Sequence, residues 1–207
     1  NRSAPGPNGL MEPEREAFRP RNGECSVTQK ANSGKGTEVK KVRRRKKPDV
    51  LAILVSGGPA PGINGVIAAA TIEAINEGYR VIGILDGFKW LSEGDSTHVR
   101  ELTIEDVSRI HFLGGSIIGI SRVNPMSSEA KMSRVLNSLA ALDVKLLITI
   151  GGDDTAWIAS ELNRRTMGRI RIAHVPKTID NDLPLPGYDS TFGYQTARHE
   201  GVRLVQT

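Results

Sequence analysis

Two aspartates, Asp153 and Asp154, stand side by side directly after Gly151 and Gly152 and before Thr155. Carboxylates this close raise the cost of ionising one another. Helix capping accounts for one of them, since Asp is a good N-cap and negative charge suits a first turn. A pair after a double glycine suggests that one holds a cation and the other shapes a pocket. Gly151 and Gly152 permit close backbone approach, Asp153 offers a hard oxygen ligand for Mg²⁺, and the Thr155 hydroxyl can donate to a phosphate oxygen. A second group gathers in "PKTIDNDLPLPG", where Lys177, Thr178, Asp180 and Asp182 follow an apolar run. One ammonium, one hydroxyl and two carboxylates suit phosphoryl transfer. The cation neutralises charge on the transferred group, and a carboxylate accepts the proton of the attacking hydroxyl. The plainer alternative is a proline-stiffened loop carrying surface charge. A third stretch, "SGGPAPGING" from Ser56 to Gly65, can bring backbone N–H groups to a phosphate at a helix N-terminus. Alone it is a weak signal, because tight strand-to-helix turns use glycine anyway. It matches neither GxGxxG nor a P-loop, which argues against a standard dinucleotide or P-loop site.

These residues need strands and helices to bring them together. The expected strands are Val50–Gly58, Tyr79–Gly87, Val144–Gly152 and Arg169–Pro176, each apolar throughout instead of alternating. The expected helices are Ile63–Gly78, Ser127–Leu142, Thr155–Gly168 and Thr191–Gln206, with Gly78 as a stop beyond the first. The stretch between Gly87 and Ser127 is less regular. Alternating elements with uniformly apolar strands predict an α/β domain, doubly wound, with a mostly parallel sheet covered by helices on both faces. In such folds ligands sit at the carboxyl ends of the strands, which is where all three motifs fall.

Charge divides the chain. Residues 1–49 carry thirteen Lys/Arg against six Asp/Glu, while residues 50–207 carry fifteen against seventeen. The overall +5 therefore belongs to a leader rich in Pro, Gly, Asn and Ser, which reads as disordered up to residue 49. Its basic cluster, Lys40–Lys47, is read as a solvated charge run, and nucleic acid is not an expected partner. No apolar run reaches membrane-spanning length. The single cysteine, Cys25, allows no intrachain disulfide and suits a reducing compartment, so a cytoplasmic location is expected.

Four ordered motifs, "SGGPAPGIN", "GGSIIGISR", "GGDDT" and "PKTIDND", resemble the phosphofructokinase family from Val50 to the end of the chain. The resemblance implies transfer of a phosphoryl group to the 1-hydroxyl of fructose 6-phosphate with Mg²⁺, in an enzyme that is homo-oligomeric when full-length. By the same resemblance Asp180 is the general base and Asp182 its supporting carboxylate. Thr178, Ile179 and Asp180 contact the sugar phosphate, and Asp153 takes the magnesium. Gly57, Gly58, Arg122, Gly152 and Thr155 contact the phosphoryl donor.

Asp154 separates the branches of that family. ATP-using members generally have glycine there, leaving room for the nucleotide's α-phosphate. A carboxylate would fill the space and repel that phosphate, whereas pyrophosphate has none to repel. Lys177 would then steady the transition state for the smaller donor, and Pro59 leans the same way. Asn181 departs from the pyrophosphate pattern, which often has glycine between the two loop aspartates. An ATP-dependent phosphofructokinase is the near alternative, and a non-catalytic phosphate-binding module with a nucleic-acid-binding tail is the distant one. The resemblance also implies a second α/β domain beyond Thr207 that supplies the remaining sugar-phosphate contacts. The expectation is an N-terminal domain, residues 50–207, incomplete at its C-terminus and inactive by itself.

Overall fold

A computed structural model describes residues 47–206 except Pro184, Pro186, Tyr188 and Asp189. Cys25 and the leader as far as Lys46 lie outside the described residues. Five strands form one sheet in the order β3-β2-β1-β4-β5. They are β1 (Val50–Val55), β2 (Arg80–Ile84), β3 (Val99–Glu101), β4 (Val144–Gly151) and β5 (Arg171–Pro176). All neighbours are parallel except β3, which runs antiparallel to β2 at one edge. The helices are α1 (Ile63–Asn76), α2 (Lys89–Glu93), α3 (Ile104–Val107), α4 (Glu129–Ala141), α5 (Asp153–Thr166) and α6 (Tyr194–Val205).

The uniformly apolar run of β1 has the expected cause, whereas β5, at the sheet edge, has exposed and half-buried residues and does not meet the expectation of a strand covered on both faces. Every residue of β1 is buried, because its two faces pack on two separate cores. Leu51, Ile53 and Val55 meet α1 and α3 on one face. Ala52 and Leu54 meet Leu91, Val135, Leu139, Ile158 and Leu162 of α2, α4 and α5 on the other. Full burial of each such Ile or Leu contributes about 1.5–3 kcal/mol, so exchanging the two faces by a one-residue slip is excluded. β1 leads through α1 to β2 on one side, and β4 leads through α5 to β5 on the other. The point where chain direction diverges lies between β1 and β4, and the carboxyl ends of these strands are where open α/β sheets bind ligands.

Helix boundaries follow local chemistry. α1 ends as expected, with Gly78 at φ +86° and the Gly78 and Tyr79 N–H groups donating to Ile75 and Ala74 carbonyls. The Ser128 hydroxyl caps α4 by accepting from the Lys131 amide at 3.2 Å. α5 differs from expectation: it starts at Asp153, two residues early, so both aspartates lie in its first turn. It also ends at Thr166, with Met167 in the left-handed region, and β5 begins at Arg171 instead of Arg169. The irregular stretch contains α2, the short edge strand β3 and α3, the last opened by a Thr103–Asp106 capping box. α6 begins at Tyr194, because Thr191–Gly193 is occupied elsewhere, and it buries no residue in the described structure.

Gly83 in β2 has a packing reason to be glycine. A Cβ there would sit 2.5 Å from Ile118 Cγ2 and 3.3 Å from Leu102 Cδ1. Gly83→Ala should therefore lower the urea midpoint by the equivalent of about 1–3 kcal/mol, as overpacking does. Gly65, inside α1 with nothing near its missing Cβ, should behave oppositely, with Gly65→Ala stabilising by up to about 1 kcal/mol. Equal midpoints for the two variants would contradict the packing described.

Candidate active site

Three strand ends are stitched edge to edge. The Ser56 amide donates to the Ile150 carbonyl at 2.9 Å, and the Lys177 amide donates to the Gly151 carbonyl at 2.8 Å. On the other side of β1, the Gly57 amide and the Ser56 hydroxyl both donate to the Ser121 carbonyl, at 2.9 and 3.2 Å. Residues 56–58, 151–153, 176–180 and 119–122 thus converge at one end of the sheet, although as many as 124 positions separate Ser56 from Asp180 in sequence.

Glycine is required at specific points of this junction. Gly57 lies at φ +96°, where a side chain is strained. A Cβ on Gly151 would meet Thr155 Oγ1 at 2.3 Å and the Ser56 carbonyl at 2.8 Å, so β4 passes β1 only without one. Gly152 is different: it has ordinary backbone angles, and a Cβ would reach the Lys177 carbonyl at an unstrained 3.7 Å.

Lys177 is the most constrained charge in the site. The residue is 5% exposed, and its ammonium donates to the Gly58 carbonyl. That ammonium lies 3.6 Å from where a Gly57 Cβ would be, and Arg122 Nη2 lies 3.3 Å from the corresponding Gly58 position. Two cations thus flank the Gly57–Gly58 turn. Burial pushes the Lys177 pKa below the ordinary lysine value and the Arg122 charge adds to the effect, while Asp180 opposes both. A buried ammonium held by one neutral carbonyl beside a second cation is an arrangement that a multiply charged anion would relieve.

The carboxylates lie outside that pocket floor. Asp153 and Asp154 are exposed on the first turn of α5, where they complement its dipole. Within the described residues no hydrogen bond or ion pair occupies the Asp153 carboxylate, nor is there a cluster of three metal-ligating side chains. A cation held by one carboxylate, by water and by substrate phosphates fits this arrangement, and Mg²⁺ binds in that manner; an all-protein cage does not. By contrast α1 opens with no acidic residue in its first turn and no side-chain cap, which leaves its positive end uncompensated.

In the loop after β5, Thr178 is buried, whereas Ile179, Asp180 and Asp182 are exposed. The Asp180 amide donates to the Thr178 hydroxyl at 3.1 Å, and the Thr178 amide donates to the Thr191 hydroxyl at 2.9 Å. Asn181 lies at φ +56°. Asparagine is among the few side chains that tolerate this region, so it meets the same backbone demand as glycine and says nothing about the donor. Thr155 is buried with its hydroxyl against Gly151, packed into the strand-to-helix turn.

A profile of the family described as Phosphofructokinase matches residues 50–207. The chain belongs to the phosphofructokinase family. A Thermotoga maritima protein named pyrophosphate–fructose 6-phosphate 1-phosphotransferase is 59% identical over 155 residues, spanning 75% of this chain and 37% of that protein. An ATP-dependent 6-phosphofructokinase of Chloroflexus aggregans is 40% identical over 159 residues, spanning 73% of this chain and 43% of the relative. This phosphofructokinase chain therefore spans less than half the length of either. Among solved structures, Pichia pastoris phosphofructokinase in the T-state superposes with a TM-score of 0.69 at 24% identity, over 84% of this chain and 20% of that one, which shows the shared fold.

Sequence reasoning missed Asn64, Asp86 and Ser121. Asn64 is buried on α1, donates to the Leu113 and Gly114 carbonyls at 3.0 and 3.4 Å and accepts from the Ile117 amide at 3.0 Å, fastening the loop that leads to Arg122. Asp86, at φ +53°, accepts from Trp90 Nε1 at 3.1 Å, and its amide donates to the Ile118 carbonyl on the same loop. The turn residues around them mark a loop, but nothing in the spacing marks partners more than thirty positions away.

The buried ammonium yields a test. Because the fold disfavours the charged form of Lys177, removing the charge relieves a cost that the native state carries. Lys177→Met in the full-length protein should leave Tm unchanged or raised while lowering the affinity for a polyanion probe, inorganic pyrophosphate, at least tenfold. A large loss of Tm with donor affinity retained would show the lysine to be a structural hydrogen-bond donor instead.

Proposed function

We propose that this chain is the donor-binding and base-carrying portion of a phosphotransferase that moves a phosphoryl group from pyrophosphate to the 1-hydroxyl of fructose 6-phosphate. The buried Lys177, paired with Arg122 around Gly57 and Gly58, is the observation that carries the reading. Two clustered cations over a glycine turn suit a compact, multiply charged donor. The names of relatives at up to 59% identity support the same choice.

In this reading the donor lies against the Gly57–Gly58 turn, with Lys177 and Arg122 on its phosphate oxygens. The Asp180 carboxylate takes the proton of the sugar's 1-hydroxyl. The freed oxygen attacks the terminal phosphorus, a new P–O bond forms, and the bond to the leaving phosphate breaks, giving fructose 1,6-bisphosphate and orthophosphate. Thr178 and Ile179 border the sugar phosphate, and Asp182 sits two residues beyond the base. Mg²⁺, held by Asp153, supplies charge neutralisation on the donor's oxygens when bound. Asp154 projects from the same turn and disfavours a donor carrying a further phosphate.

ATP as donor is the competing reading, favoured by the relatives named ATP-dependent at 40% identity. Both readings share the base. Asp180→Ser in the full-length protein should lower kcat about 10²–10⁴-fold, with the KM for fructose 6-phosphate changed only a few-fold. Turnover above about a tenth of wild type would remove Asp180 from that role.

A further inference from the structure

The segment Thr191–Gly193 lies outside every motif that marks the site, yet it touches two of them. Thr191 is 4% exposed, and its hydroxyl both accepts from the Thr178 amide at 2.9 Å and donates to the Thr178 carbonyl at 2.8 Å. The hydroxyl has one proton, so the 2.8 Å carbonyl takes it in preference to the Phe192 carbonyl at 3.4 Å. Phe192 pairs with Lys177 in an isolated parallel bridge. The Phe192 ring covers Gly62, where a Cβ would be 2.9 Å from Phe192 Cδ2. Gly193, at φ +91°, passes so close that a Cβ would meet the Pro61 carbonyl at 2.6 Å. Three consecutive residues therefore bridge the loop after β5 and the turn that opens α1.

We propose that Thr191 is a positioning residue for Asp180, and that Thr191–Phe192–Gly193 is a clasp fixing the base loop relative to the donor turn. The inference rests on the functional reading above. The connection is short: the Thr191 hydroxyl holds both backbone polar groups of Thr178, and the Thr178 hydroxyl holds the Asp180 amide at 3.1 Å. Asp180 is exposed and Asn181 beside it is in the left-handed region, so the loop owes little of its placement to burial of its own side chains. Fixing Thr178 at both its amide and its carbonyl limits rotation of the peptides on either side. A displacement of about 1 Å in a reacting group can cost on the order of a hundredfold in rate, so such a clasp acts on kcat.

The test compares Thr191→Val, which keeps the shape and removes the hydroxyl, with Thr191→Ser, which keeps the hydroxyl, in the full-length protein. Wild type is assayed first with pyrophosphate and with ATP, and the variants are read with the donor it uses. Thr191→Val should lower kcat about 10–100-fold with the donor KM within about threefold, and Thr191→Ser should recover kcat to within about threefold of wild type. In an Asp180→Ser background Thr191→Val should add no further loss, since a residue acting through the base has nothing left to position. Unchanged kcat in Thr191→Val, equal losses in the two variants, or losses that multiply with Asp180→Ser would overturn the proposal. Amide exchange of the wild-type protein decides the case in which Thr191→Val does not fold. Slow exchange at Thr178 and Asp180 sustains the clasp, and exchange at the rate of an open loop overturns it. A wild type using neither donor defeats the functional reading alone, and the exchange measurement still decides the clasp.

Discussion

The pairing of three strand ends governs everything at the site. β1, β4 and β5 lie side by side, and the Ser56-to-Ile150 and Lys177-to-Gly151 hydrogen bonds carry the register to the last residue of each strand. One residue further, the backbone turns away in three directions. Close passage of β4 past the Ser56 carbonyl admits no side chain at Gly151. The same passage sets the start of α5, and with it the placement of Asp153 and Asp154. A side chain at Gly151 would force β1 and β4 apart at their carboxyl ends, so this one contact links sheet packing to site chemistry.

Charge is then sorted by helix ends and burial. The positive end of α5 is matched by two exposed carboxylates, whereas that of α1 is unmatched, and the buried Lys177 and the guanidinium of Arg122 flank the Gly57–Gly58 turn that precedes it in the chain. Anions are favoured on the α1 side and cations on the α5 side. A phosphoryl donor with its metal has that polarity. Lys177 carries the cost of the arrangement, since burial and the Arg122 charge lower its pKa.

Much of this was legible in the sequence, for physical reasons that can be named. Strands buried on both faces must be apolar throughout, so β1, β2 and β4 announced a covered parallel sheet. Ligand-bearing turns follow strand ends, so the three motifs pointed to one end of the sheet. The start of α5 was misplaced because aspartates read as caps can equally be the first helical residues. β3 was not visible, since three residues reading Val-Arg-Glu at a sheet edge carry no apolar run. Asn64 and Thr191 were missed for another reason. Each acts through hydrogen bonds to backbone atoms distant in sequence, and backbone partners leave no trace in residue spacing. Asn181 departs from the pyrophosphate pattern in residue type, but its φ of +56° shows that the position selects a conformation that asparagine also adopts.

In the proposed function Asp154 decides the donor. A carboxylate about 4 Å from an α-phosphate charge would be repelled by about 1 kcal/mol in bulk water and about 4 kcal/mol at an effective dielectric near 20. Asp154 is exposed in this structure, so in the proposed function the repulsion would begin near the lower figure and grow as donor and sugar displace water. The direct measurement is the ratio of kcat/KM for ATP over pyrophosphate in the full-length protein and in Asp154→Gly. The expected result is a wild type that strongly prefers pyrophosphate and a ratio that rises at least tenfold on substitution, through gained ATP use and weakened pyrophosphate use. A wild type that already prefers ATP, or a ratio that Asp154→Gly leaves unchanged, would contradict it.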